Sequence, residues 1–221
     1  MSKTKQNWND IYKNKGIMRY PNEDLVVLFH QIKHLLPKKI TALDYGFGSG
    51  NNASFLIDMV EDFYGIEVSS VAKEITTARL ADHNKFNANN LYMSLNKNIA
   101  EFNNKFDLIV AWHVISYNSH ESVQEVIKRF LGYLKPGGLL ITTLATPRDI
   151  SKSCSDKLSH NTYKITESIP NQEGCTVIIP QNEEDFKQYF SDYKVVDIGY
   201  LERVSFKLAH NSSHYFGVFQ K

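Results

Sequence analysis

Three glycines at alternate positions, Gly46, Gly48 and Gly50, are the residues whose type and spacing point most directly to chemistry. Glycine has no Cβ, so its backbone adopts left-handed dihedrals and brings N–H groups close to a ligand. At the start of a helix such N–H groups bind electron-rich ligand atoms. The pattern therefore predicts a binding loop for a nucleotide-like molecule, with the acid Asp44 just before it.

The residues around these glycines predict the elements that position them. A short apolar run at 40–45 precedes the glycines, and apolar residues at helical spacing follow at 55–60. In an open α/β sheet, ligands bind beyond the carboxyl ends of the strands. We therefore expect a strand, a tight turn and a helix, with the glycines in the turn.

The same alternation of strand and helix patterns continues along the chain. Further strands are predicted at 63–68, 90–95, 106–112, 139–144, 193–201 and 213–220. The last two follow each other without a helix between them. This order predicts a doubly wound α/β fold, a mostly parallel sheet with helices on both faces. We expect one domain over 1–221, with an N-terminal arm at 1–20 and a substrate-covering insertion at 145–180.

A second acid, Glu67, stands 17 residues after Gly50 at the predicted end of the second strand. An acid there faces the binding crevice and accepts hydrogen bonds from both ribose hydroxyls. Its neighbour Val68 offers an apolar face to an adenine ring. A dinucleotide fingerprint needs a third glycine at position 51, which is Asn51. A nicotinamide-dependent oxidoreductase is therefore the less favoured alternative.

The run Asp44-x-Gly46-x-Gly48-x-Gly50 resembles the first motif of the class I S-adenosylmethionine-dependent methyltransferases. Residues 106–110 and 134–138 resemble two later motifs of that family. The resemblance covers about the first 145 residues. It implies a Rossmann-like seven-stranded sheet in the order 3-2-1-4-5-7-6 with an antiparallel last strand. It also implies S-adenosylmethionine as the cofactor and S-adenosylhomocysteine as the product.

The resemblance also assigns residues further along the chain. Asn96 stands near the place where the family often has an acid for the adenine amino group, and Trp112 at the end of strand four is expected beside the adenine. From the arm, Arg19 is a candidate for the cofactor's carboxylate, as are Tyr12 and Tyr20. An arm fully in solvent is the alternative for all three.

Methyl transfer is an in-line displacement that depends mainly on alignment of the reactants. A hydroxyl acceptor benefits from a base, and the candidates are His113, Tyr117 and His160. His113 follows the fourth strand, where the resemblance places the methyl group and the acceptor. An imidazole with the ordinary pKa near 6.5 takes a proton at neutral pH. A packed structural histidine is the alternative.

Composition narrows the partners. Lys+Arg 25 and Asp+Glu 24 leave a net charge of +1, which gives no excess charge to recruit nucleic acid or an anionic membrane. The two cysteines lack metal-ligand spacing, so no metal site is expected. No apolar run is long enough for a membrane span. Together with the resemblance to the methyltransferases, these features lead us to expect a cytoplasmic enzyme that methylates oxygen or nitrogen of a small molecule, with a non-catalytic cofactor-binding protein as the alternative.

Overall fold

The computed structural model describes residues 3–14, 17–93, 99–166, 169, 172–205 and 211–221. The helices are α1 Lys3–Asn14, α2 Glu23–Ile32, α3 Asn51–Met59, α4 Ser70–Leu80, α5 His120–Tyr133, α6 Ile150–Ser153 and α7 Glu183–Gln188. The strands are β1 Thr41–Tyr45, β2 Asp62–Ile66, β3 Leu91–Tyr92, β4 Phe106–Ala111, β5 Leu134–Ala145, β6 Ser155–Ser159, β7 Thr162–Ile165, β8 Thr176–Ile178, β9 Lys194–Arg203 and β10 Ser212–Gln220.

Seven strands form one sheet in the order β3-β2-β1-β4-β5-β10-β9. β1 pairs in parallel with β2 and with β4, whereas β10 and β9 pair antiparallel. With β10 as the seventh strand of the predicted sheet and β9 as the sixth, this is the predicted order. The α/β class and the sheet topology are therefore confirmed.

Local chemistry explains where the helices next to the glycine-containing turn begin. Asn22 accepts a hydrogen bond from the backbone N–H of Leu25 and caps α2, and Ser69 does the same for Ala72 at the start of α4. α3 has no side-chain cap, and its preceding residue Gly50 adopts φ 77°. A turn in this conformation strongly favours glycine.

Asp107 connects the two later motifs of the sequence. One oxygen of its carboxylate accepts the backbone N–H of Thr41 at 2.9 Å and the Lys135 ammonium at 2.8 Å. The other residues of β4 are apolar and fully buried. The acid in this motif therefore ties β4 to the start of β1 and to β5, which is a structural role.

Three strands end earlier than the sequence predicted. β2 ends at Ile66, so Glu67 lies in the turn beyond it, and β3 contains only Leu91 and Tyr92 among the described residues. β4 ends at Ala111, so the prediction that Trp112 belongs to the strand is wrong. His113 follows in the same turn with φ 54°. The left-handed backbone ends the strand because it cannot continue the pleat.

The insertion predicted at 145–180 carries a sheet of its own. β6, β7 and β8 form an antiparallel sheet, and buried residues of β7 and β8 pack with Ala145, Ile169 and Ile179 in a small core. The backbone N–H of Ile178 donates to the carbonyl of Ser116. The segment is therefore packed structure in its described part, and a substrate-covering role stays a prediction.

The chain divides into two compact units. The N-terminal unit is Met1–Val110 with Tyr133–Leu139, and the C-terminal unit is Ala111–Gly132 with Leu140–Lys221. The prediction of a single domain stays a prediction. In the described ranges, every helix is too short or too polar to cross a membrane.

Candidate functional site

Residues 46–50, which we name the glycine loop, follow β1 in the N-terminal unit. Gly46, Gly48 and Gly50 all adopt positive φ, at 78°, 54° and 77°. The N–H of Gly46 donates to the carbonyl of Ile66 at 2.7 Å, which fixes the loop against the end of β2. The predicted turn is present, and its conformation favours glycine at each of the three positions.

The buried Glu67 carboxylate holds the glycine loop from the second strand. Oε2 accepts the N–H of Gly48 at 3.0 Å, and Oε1 accepts the N–H groups of Val68 and Ser69 at 2.6 and 2.9 Å. A carboxylate offers about four acceptor positions, so three are taken by the protein. Burial raises the pKa of Glu67, and these three backbone bonds oppose that shift.

Asp44 lies at the end of β1 and is also buried. Within the described part of the chain, its Oδ2 has no hydrogen-bond partner. Burial raises the pKa of Asp44 to about 8, and the nearby Glu67 adds to the shift. A buried oxygen without a donor is costly, and a ligand that donates a hydrogen bond relieves that cost. Asp44 and Glu67 together form what we name the carboxylate pair.

Tyr12 of α1 lies against the glycine loop, near the carboxylate pair. A Cβ added to Gly48 would lie 2.5 Å from the Tyr12 hydroxyl oxygen, so the tyrosine occupies the space that glycine leaves. Burial raises the pKa of Tyr12, and Glu67 and then Asp44 add to the shift. The buried side chain of Asn9 accepts the Ser69 hydroxyl at 2.6 Å and fixes α1 on the start of α4.

The other predicted cofactor residues of this unit have different surroundings. Arg19 is exposed, with its guanidinium 5.9 Å from the ring of Tyr20, which is 74% exposed. Val68 is partly exposed beside the glycine loop. Asn96 lies outside the described residues. Of the three arm candidates, the structure therefore brings Tyr12 to the glycine loop, and the roles of Arg19, Val68 and Asn96 stay predictions.

In the C-terminal unit, the turn after β4 contains Trp112 and His113. Trp112 is 6% exposed, its ring centroid lies 5.2 Å from that of His113, and no described residue accepts from its indole N–H. The backbone N–H of His113 donates to Oγ1 of Thr143 at 2.8 Å, and its Nδ1 lies 3.1 Å from the same oxygen. Thr143 thus holds both the backbone and the ring of His113.

His113 has a second histidine beside it. The ring centroids of His113 and His214 on β10 are 4.2 Å apart. Burial, and then His214, lower the pKa of His113 to about 3. The expectation of an ordinary pKa near 6.5 is therefore wrong, because the imidazolium is poorly solvated here and has a second imidazole beside it.

Asp149 completes this group. Its Oδ2 lies 3.9 Å from Nδ1 of His214 and accepts the backbone N–H of Ser213 at 2.9 Å. Its Oδ1 accepts both the N–H and the hydroxyl of Ser151. We name His113, His214, Thr143 and Asp149 the histidine cluster. Sequence reasoning missed His214 and Asp149, since the only local signal was a helix cap at Asp149.

The two other base candidates differ from each other. Burial raises the pKa of Tyr117 to about 12, and Asp149 adds to the shift, so a neutral phenol is favoured. His160 is exposed in the turn between β6 and β7. The structure therefore places Tyr117 within the electrostatic reach of Asp149 and leaves His160 at the surface.

The N-terminal unit fits the cofactor that the sequence implies. The glycine loop contains three residues at positive φ, and the buried Oδ2 of Asp44 has no hydrogen-bond partner among the described residues. S-adenosylmethionine carries an ammonium group and two ribose hydroxyls, all of which donate. Its sulfonium is positively charged, and a positive charge bound beside Asp44 and Glu67 would favour the ionised form of these carboxyl groups.

Comparison with known proteins supports this assignment. A sequence model for the family described as a methyltransferase domain matches residues 17–193, well over half of the chain. No match was found among curated protein sequences.

Solved structures give the same fold. The N-methyltransferase NodS from Bradyrhizobium japonicum, solved with S-adenosyl-L-homocysteine, aligns with a TM-score of 0.66 and 16% identity over 100% of this chain and 99% of its own. A methyltransferase from Anabaena variabilis aligns with a TM-score of 0.68 and 16% identity, covering 99% and 93% of the two chains. One from Clostridium acetobutylicum aligns with a TM-score of 0.66 and 14% identity, covering 95% and 94%.

The glycine loop, the carboxylate pair and the sheet order thus agree with the family match. The chain belongs to the methyltransferase domain family and is a class I S-adenosylmethionine-dependent methyltransferase.

Proposed function

We infer that this enzyme transfers the methyl group to an oxygen or nitrogen atom of a small-molecule acceptor. The cofactor supplies the methyl group already activated on a sulfonium. The protein's task is then to hold the reactants in line and to accept a proton. The net charge of +1 argues against a nucleic acid as acceptor, because such a partner calls for a strongly basic surface.

The observation that carries the cofactor part of the proposal is the unpartnered oxygen of Asp44 beside the glycine loop. We propose that this oxygen accepts a hydrogen bond from the cofactor. Glu67 retains about one acceptor position after its three backbone bonds, so it binds one ribose hydroxyl rather than both. Gly46, Gly48 and Gly50 allow close approach of the backbone.

The remaining contacts follow the sequence predictions. We propose that Val68 and Trp112 contact the adenine, that Asn96 binds its amino group, and that Arg19 pairs with the cofactor's carboxylate. His113 contacts the acceptor. Support for His113 comes from its place after β4, from its left-handed backbone and from the Thr143 oxygen that holds its ring.

Calorimetry with S-adenosylmethionine, S-adenosylhomocysteine and NAD tests the cofactor part. We expect binding of the first two and no heat from NAD. The Asp44→Ala variant should bind S-adenosylhomocysteine at least tenfold more weakly, and Asp58→Ala, on the exposed face of α3, serves as the control. Tight NAD binding, or unchanged affinity in Asp44→Ala, contradicts this assignment.

A further inference from the structure

We propose that His214, oriented by Asp149, is the base that takes the proton from the methyl acceptor, while His113 donates a hydrogen bond to that acceptor. This inference rests on the proposed function. It gives the role of the base to His214, whereas the sequence analysis named His113, Tyr117 and His160 as candidates. The arrangement of hydrogen-bond donors and acceptors in the histidine cluster carries it.

Thr143 determines which nitrogen of His113 holds the proton. Its oxygen already accepts the backbone N–H of His113, and its own hydroxyl proton needs an acceptor. Among the described residues, Nδ1 of His113 is the acceptor within reach, at 3.1 Å. Thr143 is fully buried, so an unsatisfied hydroxyl would be costly. Nδ1 therefore carries no proton, and Nε2–H is a donor that cannot act as a base.

His214 has the opposite arrangement. Its Nδ1 faces the Asp149 carboxylate at 3.9 Å and the Ser212 hydroxyl oxygen at 3.5 Å. A proton on Nδ1 is favoured by the negative charge of that carboxylate. Nε2 of His214 is then unprotonated, and in the described structure no donor occupies it. A neutral imidazole with a free lone pair is the form that a base requires.

Asp149 is positioned by other groups rather than by His214. Backbone N–H groups of Ser151 and Ser213 and the Ser151 hydroxyl all donate to its two oxygens. These bonds direct Oδ2 toward β10 whatever the charge of the imidazole. Asp149 is therefore a positioning residue, and it stabilises the imidazolium once the proton arrives.

Burial keeps His214 neutral before the reaction. It lowers the pKa of His214, and Asp149 opposes part of this shift. Two titratable groups lie near His214 and Asp149. The ring of His113 is beside that of His214, and Tyr117 is close enough to Asp149 to interact with it electrostatically. Because burial raises the pKa of Tyr117, no second negative charge arises from it near neutral pH.

The step balances in atoms and charge. The acceptor atom forms a bond to the methyl carbon as the carbon–sulfur bond breaks, and the electron pair of that bond stays on sulfur. The proton of the acceptor goes to Nε2 of His214. One positive charge is lost from sulfur and one appears on the imidazolium beside Asp149.

Histidine-selective ¹⁵N NMR of the full chain with S-adenosylhomocysteine tests the proposal without needing the acceptor. We expect His113 as the Nε2–H tautomer and His214 as the Nδ1–H tautomer. Asp149→Asn should lower the pKa of His214, and thermal unfolding checks that the variant is folded. The reverse tautomers, or an unchanged pKa of His214 in Asp149→Asn, would overturn the proposal.

Transfer of a tritiated methyl group to phenol, catechol, tyramine and glucosamine tests the role in turnover. His214→Gln should reduce transfer at least tenfold, with unchanged affinity for S-adenosylhomocysteine. His34→Gln, at an exposed histidine of the other unit, is the control. Transfer by His214→Gln within threefold of wild type overturns the proposal. If the wild-type protein methylates none of the four acceptors, the NMR result decides. Absence of cofactor binding in the wild-type protein instead refutes the proposed function.

Discussion

The glycine loop with its carboxylate pair and the histidine cluster are both buried polar groups, but they are built in different ways. Glu67 is held by backbone N–H groups of its own turn and of the glycine loop. In the histidine cluster, His113 and His214 come from places about a hundred residues apart and meet through side chains. The glycine loop with its carboxylate pair is thus held mainly by backbone groups, whereas the histidine cluster depends on tertiary packing of side chains.

Burial shifts the pKa values of the two regions in opposite directions. It raises the pKa of Asp44 to about 8 and lowers that of His113 to about 3, because in both places it disfavours the charged form. The carboxylate pair therefore loses stability as pH rises, and the histidine cluster loses stability as pH falls. The four experiments below separate the two regions, from the largest expected effect to the smallest.

The Gly48→Ala substitution should have the largest effect. At φ 54° an alanine is strained by about 1–2 kcal/mol, and its Cβ would also meet the Tyr12 hydroxyl. With that overlap, we expect the free energy of unfolding to fall by about 2–4 kcal/mol in denaturant titrations. Gly137→Ala is the control, since Gly137 also has positive φ but open space around it. Equal losses in both variants would show that Tyr12 does not fill this space.

The Glu67→Ala substitution removes the acceptor of three backbone N–H groups. We expect the affinity for S-adenosylhomocysteine to fall by about 1–3 kcal/mol, because those donors and the ribose hydroxyl lose a charged partner. Folding should persist, since most of the sheet is unaffected. Glu67→Gln keeps one acceptor oxygen and should lie between wild type and alanine in calorimetry. Affinity within twofold of wild type in Glu67→Ala contradicts a ribose contact.

Asp44→Asn tests the sign of the pH effect in the carboxylate pair. The ordinary pKa is 3.8 and the folded value is about 8, so between these values the folded protein holds a proton that the unfolded chain has released. Stability therefore falls as pH rises through this range, by at most about 1.4 kcal/mol per pH unit. The asparagine variant should show a flatter curve in unfolding measured from pH 5 to 8. If the stability of the variant falls with pH as steeply as that of wild type, a group other than Asp44 causes the pH dependence.

His113→Asn should have the smallest effect on stability. The unfolded histidine binds a proton below about pH 6.5, whereas the folded one stays neutral to about pH 3. Wild type thus loses stability as pH falls through this window, and the variant should lose less. Asparagine tolerates the left-handed backbone at this position. We expect unchanged cofactor affinity and at least tenfold lower turnover; turnover within threefold of wild type would make His113 structural.

The sequence by itself determined the class and the glycine loop, because both depend on local patterns, whereas the order of the strands came from the resemblance to the methyltransferase family. Apolar runs mark strands, helical spacing marks the segments between them, and the positive φ of Gly46, Gly48 and Gly50 favours glycine. Spacing along the chain carries that information. Glu67 was singled out as an acid at the end of the second predicted strand; its contacts with the glycine loop appear only in the structure, and its ribose role stays a prediction.

Tertiary structure decided the features that leave no pattern in the spacing of residues along the chain. The end of β4 was placed one residue too late, because a left-handed His113 leaves no periodic signal. His214 stands in an ordinary strand pattern and Asp149 in an ordinary helix cap, and only the packing of β10 brings them together. The same packing removed water from His113 and lowered its pKa. Desolvation and contacts between distant residues arise only when the chain is folded.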